Sequence, residues 1–270
     1  MLKFCSLFSG SSGNCLFIKN KDTSILIDAG VSGKRILASI EEIGENPSEI
    51  KGILVSHEHT DHCKGVGILS RKFDIPVYAN IPTWEAMKDE IGEVKTHNIR
   101  DFKHDENFFI NNIEIRSFLI PHDAACPSGF SVFSQECKIT VATDIGHMTN
   151  QLLENFEGSD LLFLESNHDI EMLKVGPYPY SLKQRILGRD GHLSNEMAGK
   201  TIAYMAQRGT KKFILGHLSK ENNFPELVYE TACNYLREKE ICPENDIFLE
   251  VAKRDAVGKI IEICRAPVAI

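Results

Sequence analysis

The stretch Gly52-Ile53-Leu54-Val55-Ser56-His57-Glu58-His59-Thr60-Asp61-His62 decides how this chain reads. A short apolar run, GILVS, opens directly onto three imidazoles and one carboxylate besides Glu58, all between His57 and His62. Imidazole suits zinc, iron, copper and nickel, and carboxylate extends the range towards manganese. So short a segment cannot comfortably wrap one tetrahedral ion with four ligands. It can give two ligands to each of two neighbouring ions, with His57 and His59 facing one and Asp61 and His62 the other. Histidines rarely cluster this way in a solvated loop, so the segment reads as a metal site placed just after a strand.

The same punctuation recurs along the chain. SFLIP runs into His122, ITVAT into Asp144, KFILG into His217, SILI into Asp28, and LLFL into Glu165. Each apolar run stops at a residue able to bind a metal or move a proton. In layered α/β proteins, sites collect where the carboxyl ends of strands open into loops. Polar residues also mark the point where any strand leaves a core, but that accounts for one or two such ends rather than for all of them. Strands are predicted over 3–8, 15–19, 24–28, 52–56, 114–120, 130–133, 139–142, 161–165, 213–216, 247–251 and 260–263. Helices are predicted over 33–43, 195–207 and 225–238. Many strands with interspersed helices imply a layered α/β fold, whose strand order is not legible at this level.

The chain has 270 residues, 42% hydrophobic and 25% charged, which is enough to bury a sizeable core and argues against a disordered or fibrous protein. No apolar run approaches the ~20 residues that span a bilayer. The N-terminal apolar stretch is too short for a signal-peptide core, so a cytoplasmic protein with no membrane partner is expected. Eight cysteines without a C-x-x-C pair point to reduced thiols rather than a cysteine-built zinc site. A net charge of −8 disfavours coating nucleic acid through overall charge. Local phosphate binding stays compatible with it, because bound divalent ions change the field at a site.

The H-x-H-x-D-H motif does not stand alone. Leu26-Ile27-Asp28-Ala29-Gly30 precedes it, and Pro121-His122-Asp123, Ala142-Thr143-Asp144-Ile145-Gly146 and Gly216-His217-Leu218-Ser219 follow in order. This set, running from Ser9 to about Asn223, resembles the metallo-β-lactamase superfamily. The resemblance implies an α/β fold, a four-layer αβ/βα sandwich of two mixed β-sheets flanked by helices, as a single hydrolase domain over residues 1–270. It also implies two divalent metal ions (zinc, manganese or iron) at the sheet edges. Carried over, His57, His59 and His122 would hold one ion and Asp61, His62 and His217 the other. Asp144 would bridge them, and Asp28 would orient a ligand from behind. Di-iron members carry Glu where His59 stands, and true β-lactamases commonly carry Cys where Asp144 stands. The pattern therefore follows the nuclease and phosphodiesterase branches, which glyoxalase-like thioesterases share.

A second set narrows the resemblance: Ser9–Asn14, Glu165–Asp169, Tyr178–Leu187, Gly191–Glu196 and Leu218–Asn223. Together these look like the YycJ/WalJ-like branch of bacterial proteins, which implies a 5′-to-3′ DNA exonuclease linked to DNA mismatch repair.

Several residues can be read without the family. His192 lies just before a helix that Ser194 or Asn195 would cap, and it could donate a proton to a leaving oxygen or simply brace the loop. His168 divides evenly between a pocket role and a structural one. Glu165 could orient His192 or His168, or be an ordinary buried carboxylate. The loop holding Ser11, Ser12 and Asn14 could cradle phosphate with backbone N–H groups, or be a tight hairpin turn. Lys183, Arg185, Arg189 and Lys220 are candidate contacts to a nucleic-acid backbone, and Tyr178 and Tyr180 could stack on bases or pack beside their prolines. His97 and His104 read as surface residues, and His147 stays unassigned.

The resulting expectation is a dinuclear metal-dependent phosphodiesterase acting on DNA. A hydroxide held by both ions would attack phosphorus, with Asp61 and Asp144 in the reacting centre and His192 protonating the leaving oxygen. The alternatives are a phosphodiesterase for small cyclic or short nucleotide substrates, a thioester or lactone hydrolase, and a metal-loaded scaffold without catalysis.

Overall fold

The computed structural model describes residues 1–264, so the last residues of the expected 1–270 domain lie outside it. Strands β1 (Leu2–Phe8), β2 (Cys15–Lys19), β3 (Ser24–Ile27), β4 (Ile50–Leu54), β5 (Val77–Ala79) and β6 (Ile99–Asp101) build a first sheet. Strands β7 (Asn107–Ile110), β8 (Ile113–Leu119), β9 (Ser128–Ser134), β10 (Cys137–Ala142), β11 (Leu161–Glu165), β12 (Lys212–Gly216) and β13 (Phe248–Val251) build a second. β14 (Ile261–Ile263) returns to pair antiparallel with β1, so the first sheet reads β14-β1-β2-β3-β4-β5-β6.

Both sheets are mixed, as expected. β3 to β6 run parallel to one another, as do β10 to β13, while β1–β2–β3 and β7–β8–β9–β10 are antiparallel ladders. β8 and β10 are both antiparallel to β9 and therefore run the same way. The apolar runs that end in Asp28 and His57 leave the first sheet at one edge. Those ending in His122, Asp144, Glu165 and His217 likewise share an edge of the second.

Three apolar cores separate the layers. Phe4, Leu16, Ile18 and Ile27 of the first sheet meet Ile115, Phe130, Val141 and Phe163 of the second. Their neighbours in sequence point the other way. Cys5, Phe17 and Leu26 pack on helix Gly33–Glu42 and the helices near it. Leu162 and Leu164 pack on helices Asn195–Gln207 and Pro225–Arg237. Successive side chains of a strand alternate faces, so a strand buried on both sides reads as an unbroken apolar run. That is why these strands were visible in the sequence as runs rather than as alternation.

β5, β6 and β7 and the helices Val66–Phe73, Ile81–Ile91, Asn150–Phe156 and Tyr180–Leu187 were not among the predicted elements. β5 and β6 span only three residues each, and β6 is exposed throughout, so neither carries a periodic signal. Among the described residues, no helix is long and apolar enough to cross a membrane.

Candidate metal centre

Three strand-end residues adopt left-handed backbone: Asp28 (φ 60°), Asp144 (φ 59°) and His217 (φ 57°). For a residue with a Cβ this conformation costs roughly 1–2 kcal/mol. It reverses the chain at once, so the side chain stays at the sheet edge instead of continuing the strand. Hydrogen bonds hold these reversals in place. Asp28 N donates to Leu54 O (2.8 Å), and His217 N donates to the buried Ser9 Oγ (2.8 Å). The role of Ser9 carried no sequence signal, since its partner is more than two hundred residues away.

The His57–His62 segment, whose last residues lie in the one-turn helix Thr60–Cys63, packs against the Asp28-Ala29-Gly30 turn. Ala29 N donates to His62 O (2.8 Å), and a Cβ on Gly30 would sit 1.5 Å from Asp61 O. Only glycine permits this approach. Asn14 faces inward, donating through Nδ2 to Asp61 O (3.3 Å) and lying 3.1 Å from His62 Nε2, while its Oδ1 accepts from Gly10 N. Asn14 thus holds the segment through the Asp61 carbonyl and reaches His62 on its centre-facing side. Ser11 and Ser12 are exposed at the tip of a turn closed by Gly13 N donating to Gly10 O (2.9 Å). Glu58 points away and accepts from Ala125 N (2.8 Å), tying down the loop that carries His122.

Each buried histidine of the centre is oriented through Nδ1. His62 Nδ1 donates to Asp28 Oδ2 (2.7 Å), His122 Nδ1 to Gly191 O (3.0 Å), and His217 Nδ1 to Glu165 Oε1 (2.8 Å). His57 Nδ1 lies 3.0 Å from Ser56 Oγ, itself bonded to Asp28. Nε2 is thereby the atom turned to the centre. The Nε2 atoms of His57, His122 and His217 are buried without a hydrogen-bond partner. Asp144 Oδ2 also has none, although His62 Nε2 stands 3.2 Å away, because that contact is not aligned for a hydrogen bond.

The ligand-type atoms of His57, His59 and His122 lie within 4.8 Å of one another, and so do those of Asp61, His62 and His217. Asp144 joins both neighbourhoods: Oδ1 is 3.8 Å from His122 Nε2 and 3.5 Å from His217 Nε2. Asp61 Oδ2 is 3.5 Å from the Nε2 atoms of both His62 and His217. Atoms sharing a tetrahedral ion about 2.1 Å from each sit about 3.4 Å apart. Orphaned, buried, mixed nitrogen and oxygen donors at that spacing fit divalent metal ions.

Without metal, protons balance this charge. Burial alone would push His217 down, but Asp144, Asp61 and Glu165 hold it up to about 10. Burial opposes His62 as well, yet Asp144, Asp28 and Asp61 hold it well above the usual histidine value. Burial would raise Asp144, but His217 and His62 keep its carboxyl far below the ordinary range. His57, desolvated and beside His62, is pushed well down.

Glu165 is fully buried and accepts four hydrogen bonds. His192 Nδ1 and His217 Nδ1 reach Oε1 at 2.8 Å each, and Ile145 N (2.6 Å) and Leu193 N (3.0 Å) reach Oε2. It therefore orients His192, as one reading of the sequence had it, and also His217, which that reading missed; among the described hydrogen bonds none joins it to His168. Burial works against its ionisation, but His192 and His217 bring it down to about 2. His192 stands beside the centre, its ring 5.1 Å from that of His122 and 5.4 Å from that of His217. Ser194 caps the following helix by accepting from Met197 N.

The remaining candidates lie further out. Arg185 forms a two-point pair with Asp123 (2.5 and 2.8 Å), next to His122. Lys183 Nζ donates to Lys174 O (2.7 Å), and Tyr180 is exposed. His168 is 1% exposed, with Nδ1 unpartnered, and burial pushes it down to about 4. His147 Nδ1 donates to Arg189 O (2.8 Å). His97 is at the surface, as read, whereas His104 is half-buried with Nε2 2.8 Å from Ser128 Oγ.

Two sheets flanked by helices, with histidine and aspartate ligands gathered where strand ends from both sheets meet, define a metallo-β-lactamase-type hydrolase fold. The family model described as the beta-lactamase superfamily domain matches residues 23–218, and the chain belongs to that superfamily. Within it, the chain is a YycJ/WalJ-like member. It is 40% identical to exodeoxyribonuclease YycJ of Bacillus anthracis over 88% of this chain and 90% of that protein. It is 38% identical to exodeoxyribonuclease WalJ of Streptococcus pneumoniae over 97% of this chain and 98% of that protein. The crystal structure of the metallo-beta-lactamase fold protein YhfI from Bacillus subtilis superposes with a TM-score of 0.71. It covers 96% of this chain and all of YhfI at 16% identity, a likeness of fold.

Proposed function

We propose that this chain is a metal-dependent DNA exonuclease of the cytoplasm, working as one hydrolase domain, with 5′-to-3′ polarity and a role in DNA repair. His57, His59 and His122 would hold one divalent ion, Asp61, His62 and His217 a second, and Asp144 would contact both. When bound, such ions make water nucleophilic near neutral pH and neutralise charge on the non-bridging phosphoryl oxygens.

The observation that carries this reading is the Glu165 carboxylate, shared between His217, a ligand, and His192, which is not needed as one. With Nδ1 held by Glu165, the His192 ring is fixed in orientation and its Nε2 is left for proton transfer. His192 then protonates the oxygen that departs from phosphorus. Asp28 and Glu165 fix the tautomers of His62 and His217, and Ser9 and Asn14 hold the loops that present them. Arg185, Lys183, Ser11 and Ser12 would meet the backbone of a strand.

The test is hydrolysis by protein reconstituted separately with manganese and zinc, on end-labelled single- and double-stranded DNA, with Asp144→Asn as the blank. Asparagine tolerates left-handed backbone, so the variant removes charge without disturbing the reversal. Mononucleotide products absent from the blank, arising from the 5′ end, are the expected result. Intact DNA alongside cleavage of bis-p-nitrophenyl phosphate would replace the reading with a small-diester phosphodiesterase. Full activity in the blank would overturn the ligand assignment.

A further inference from the structure

A cavity of about 280 Å³ lies beside the metal centre and is walled on one side by His192. Among the described residues, none of the proposed metal ligands lines it. Its other walls include Met148, Ile170, Leu187 and Met197, and His168 borders it with a buried Nδ1 that has no partner. We propose that this cavity receives the nucleobase of the nucleotide whose oxygen leaves phosphorus. The inference rests on the exonuclease reading and on His192 as the proton donor.

Position is the first argument. A donor must come within about 3 Å of the oxygen it protonates, so the nucleoside attached to that oxygen begins at His192. The cavity walled by His192 is the space into which that nucleoside extends. Lining chemistry is the second. Thioether and branched aliphatic side chains present soft apolar surfaces to the faces of an aromatic ring, which the metal centre does not. Met197 (39% exposed) and Leu187 (41% exposed) leave large apolar groups open at the surface, as a binding rim does. Unsatisfied polarity is the third. A buried imidazole nitrogen without a partner calls for one, and the polar edge of a base supplies it. The volume is the fourth, being at the low end of small-molecule sites, about 300 Å³ and upward, and suited to one nucleoside rather than a strand.

In digestion from the 5′ end, the leaving oxygen is the 3′-oxygen of the terminal nucleoside. The bond from water oxygen to phosphorus forms as the bond from phosphorus to that 3′-oxygen breaks. The 3′-oxygen takes the electron pair and the His192 proton, while the water's proton passes to solvent, from which His192 is recharged. The phosphate stays on the shortened strand, and the cavity releases one nucleotide per cycle.

The experiment compares cleavage of single-stranded DNA carrying a natural 5′-terminal nucleotide with the same strand carrying an abasic one. Stacking of a single base predicts a preference on the order of 10-fold for the natural end in the wild-type protein. Met197→Trp and, separately, Leu187→Trp fill the cavity from its exposed rim and should bring that ratio close to one, at unchanged metal content and melting temperature. The imidazole nitrogen resonances of His168 should shift when thymidine is added to the metal-loaded wild type, and stay still in Met197→Trp. Equal cleavage of natural and abasic ends, or a preference kept by both filled variants, would overturn the cavity assignment and leave the exonuclease reading standing. Absence of DNA cleavage in the wild type would overturn both.

Discussion

Glu165→Gln tests the shared carboxylate most sharply. In the native chain Oε1 receives two imidazole N–H groups and Oε2 two backbone N–H groups, all at 2.6–3.0 Å in a fully buried position. Glutamine keeps the shape but turns one acceptor into a donor. If the amide NH₂ faces Ile145 N and Leu193 N, two buried donors lose their acceptor, at about 1–3 kcal/mol each. That is a large part of a typical stability of ~5–15 kcal/mol. If it faces the rings, both must offer a bare Nδ1, which moves the His217 proton to Nε2, the atom proposed to bind metal. A loss of about 10–100-fold in affinity for one ion is then expected, as when a ligand's supporting partner is removed. His192 also loses the carboxylate that holds its Nδ1, so the proposed proton donor is less well oriented and turnover falls. Metal per chain after equilibrium dialysis, thermal melts and turnover on DNA together read each branch. A variant with full metal content, an unchanged melt and wild-type turnover would refute the role given to Glu165.

His192→Ala should keep its metal and slow DNA cleavage by about 10²–10⁴-fold, the range for a lost general acid. Bis-p-nitrophenyl phosphate, whose nitrophenolate departs without a proton, should be slowed far less; equal slowing on both substrates would remove His192 from proton transfer. The metal-free protein should lose stability with rising pH. His217 is held at about 10 against 6.5 in the unfolded chain, so its contribution is complete below pH 6.5 and is lost as pH rises through 10. Ions replace that proton, so melting temperatures of chelator-treated and metal-loaded protein should diverge over that window, and metal binding should release protons. Parallel curves would show that His217 carries no such proton.

The sequence exposed the parts of the site that one residue type can advertise. Apolar runs ending in His57, Asp144, Glu165 and His217 were visible because these strands are buried almost throughout and break off at a polar residue; the run into His122 was visible although Arg116 and Leu119 of its strand are exposed. The supports were not visible, because they are contacts between distant segments. Nothing local in Ser9 marks it as the acceptor of His217 N, and nothing in Asn14 predicts that it faces His62 rather than solvent. Gly30 stood in the motif, but its reason, the carbonyl of Asp61 pressed against its Cα, needs the packed turn. Arg185 read only as a candidate contact to a nucleic-acid backbone, because its partner Asp123 comes from another element. Short exposed strands such as β6 are set by pairing alone and leave no pattern to read.

Of the proposed ligands, His57, His59, Asp61 and His62 follow a strand of the first sheet, and His122, Asp144 and His217 follow strands of the second. A bound ion is therefore a cross-link between the two halves of the sandwich. It closes long loops of chain, as a disulfide does, but a chelator opens it where a reductant opens a disulfide. It also makes assembly sequential. The first histidines leave the ribosome with most of their partners still to be made, and the full ligand set exists only once the strand ending in His217 has docked.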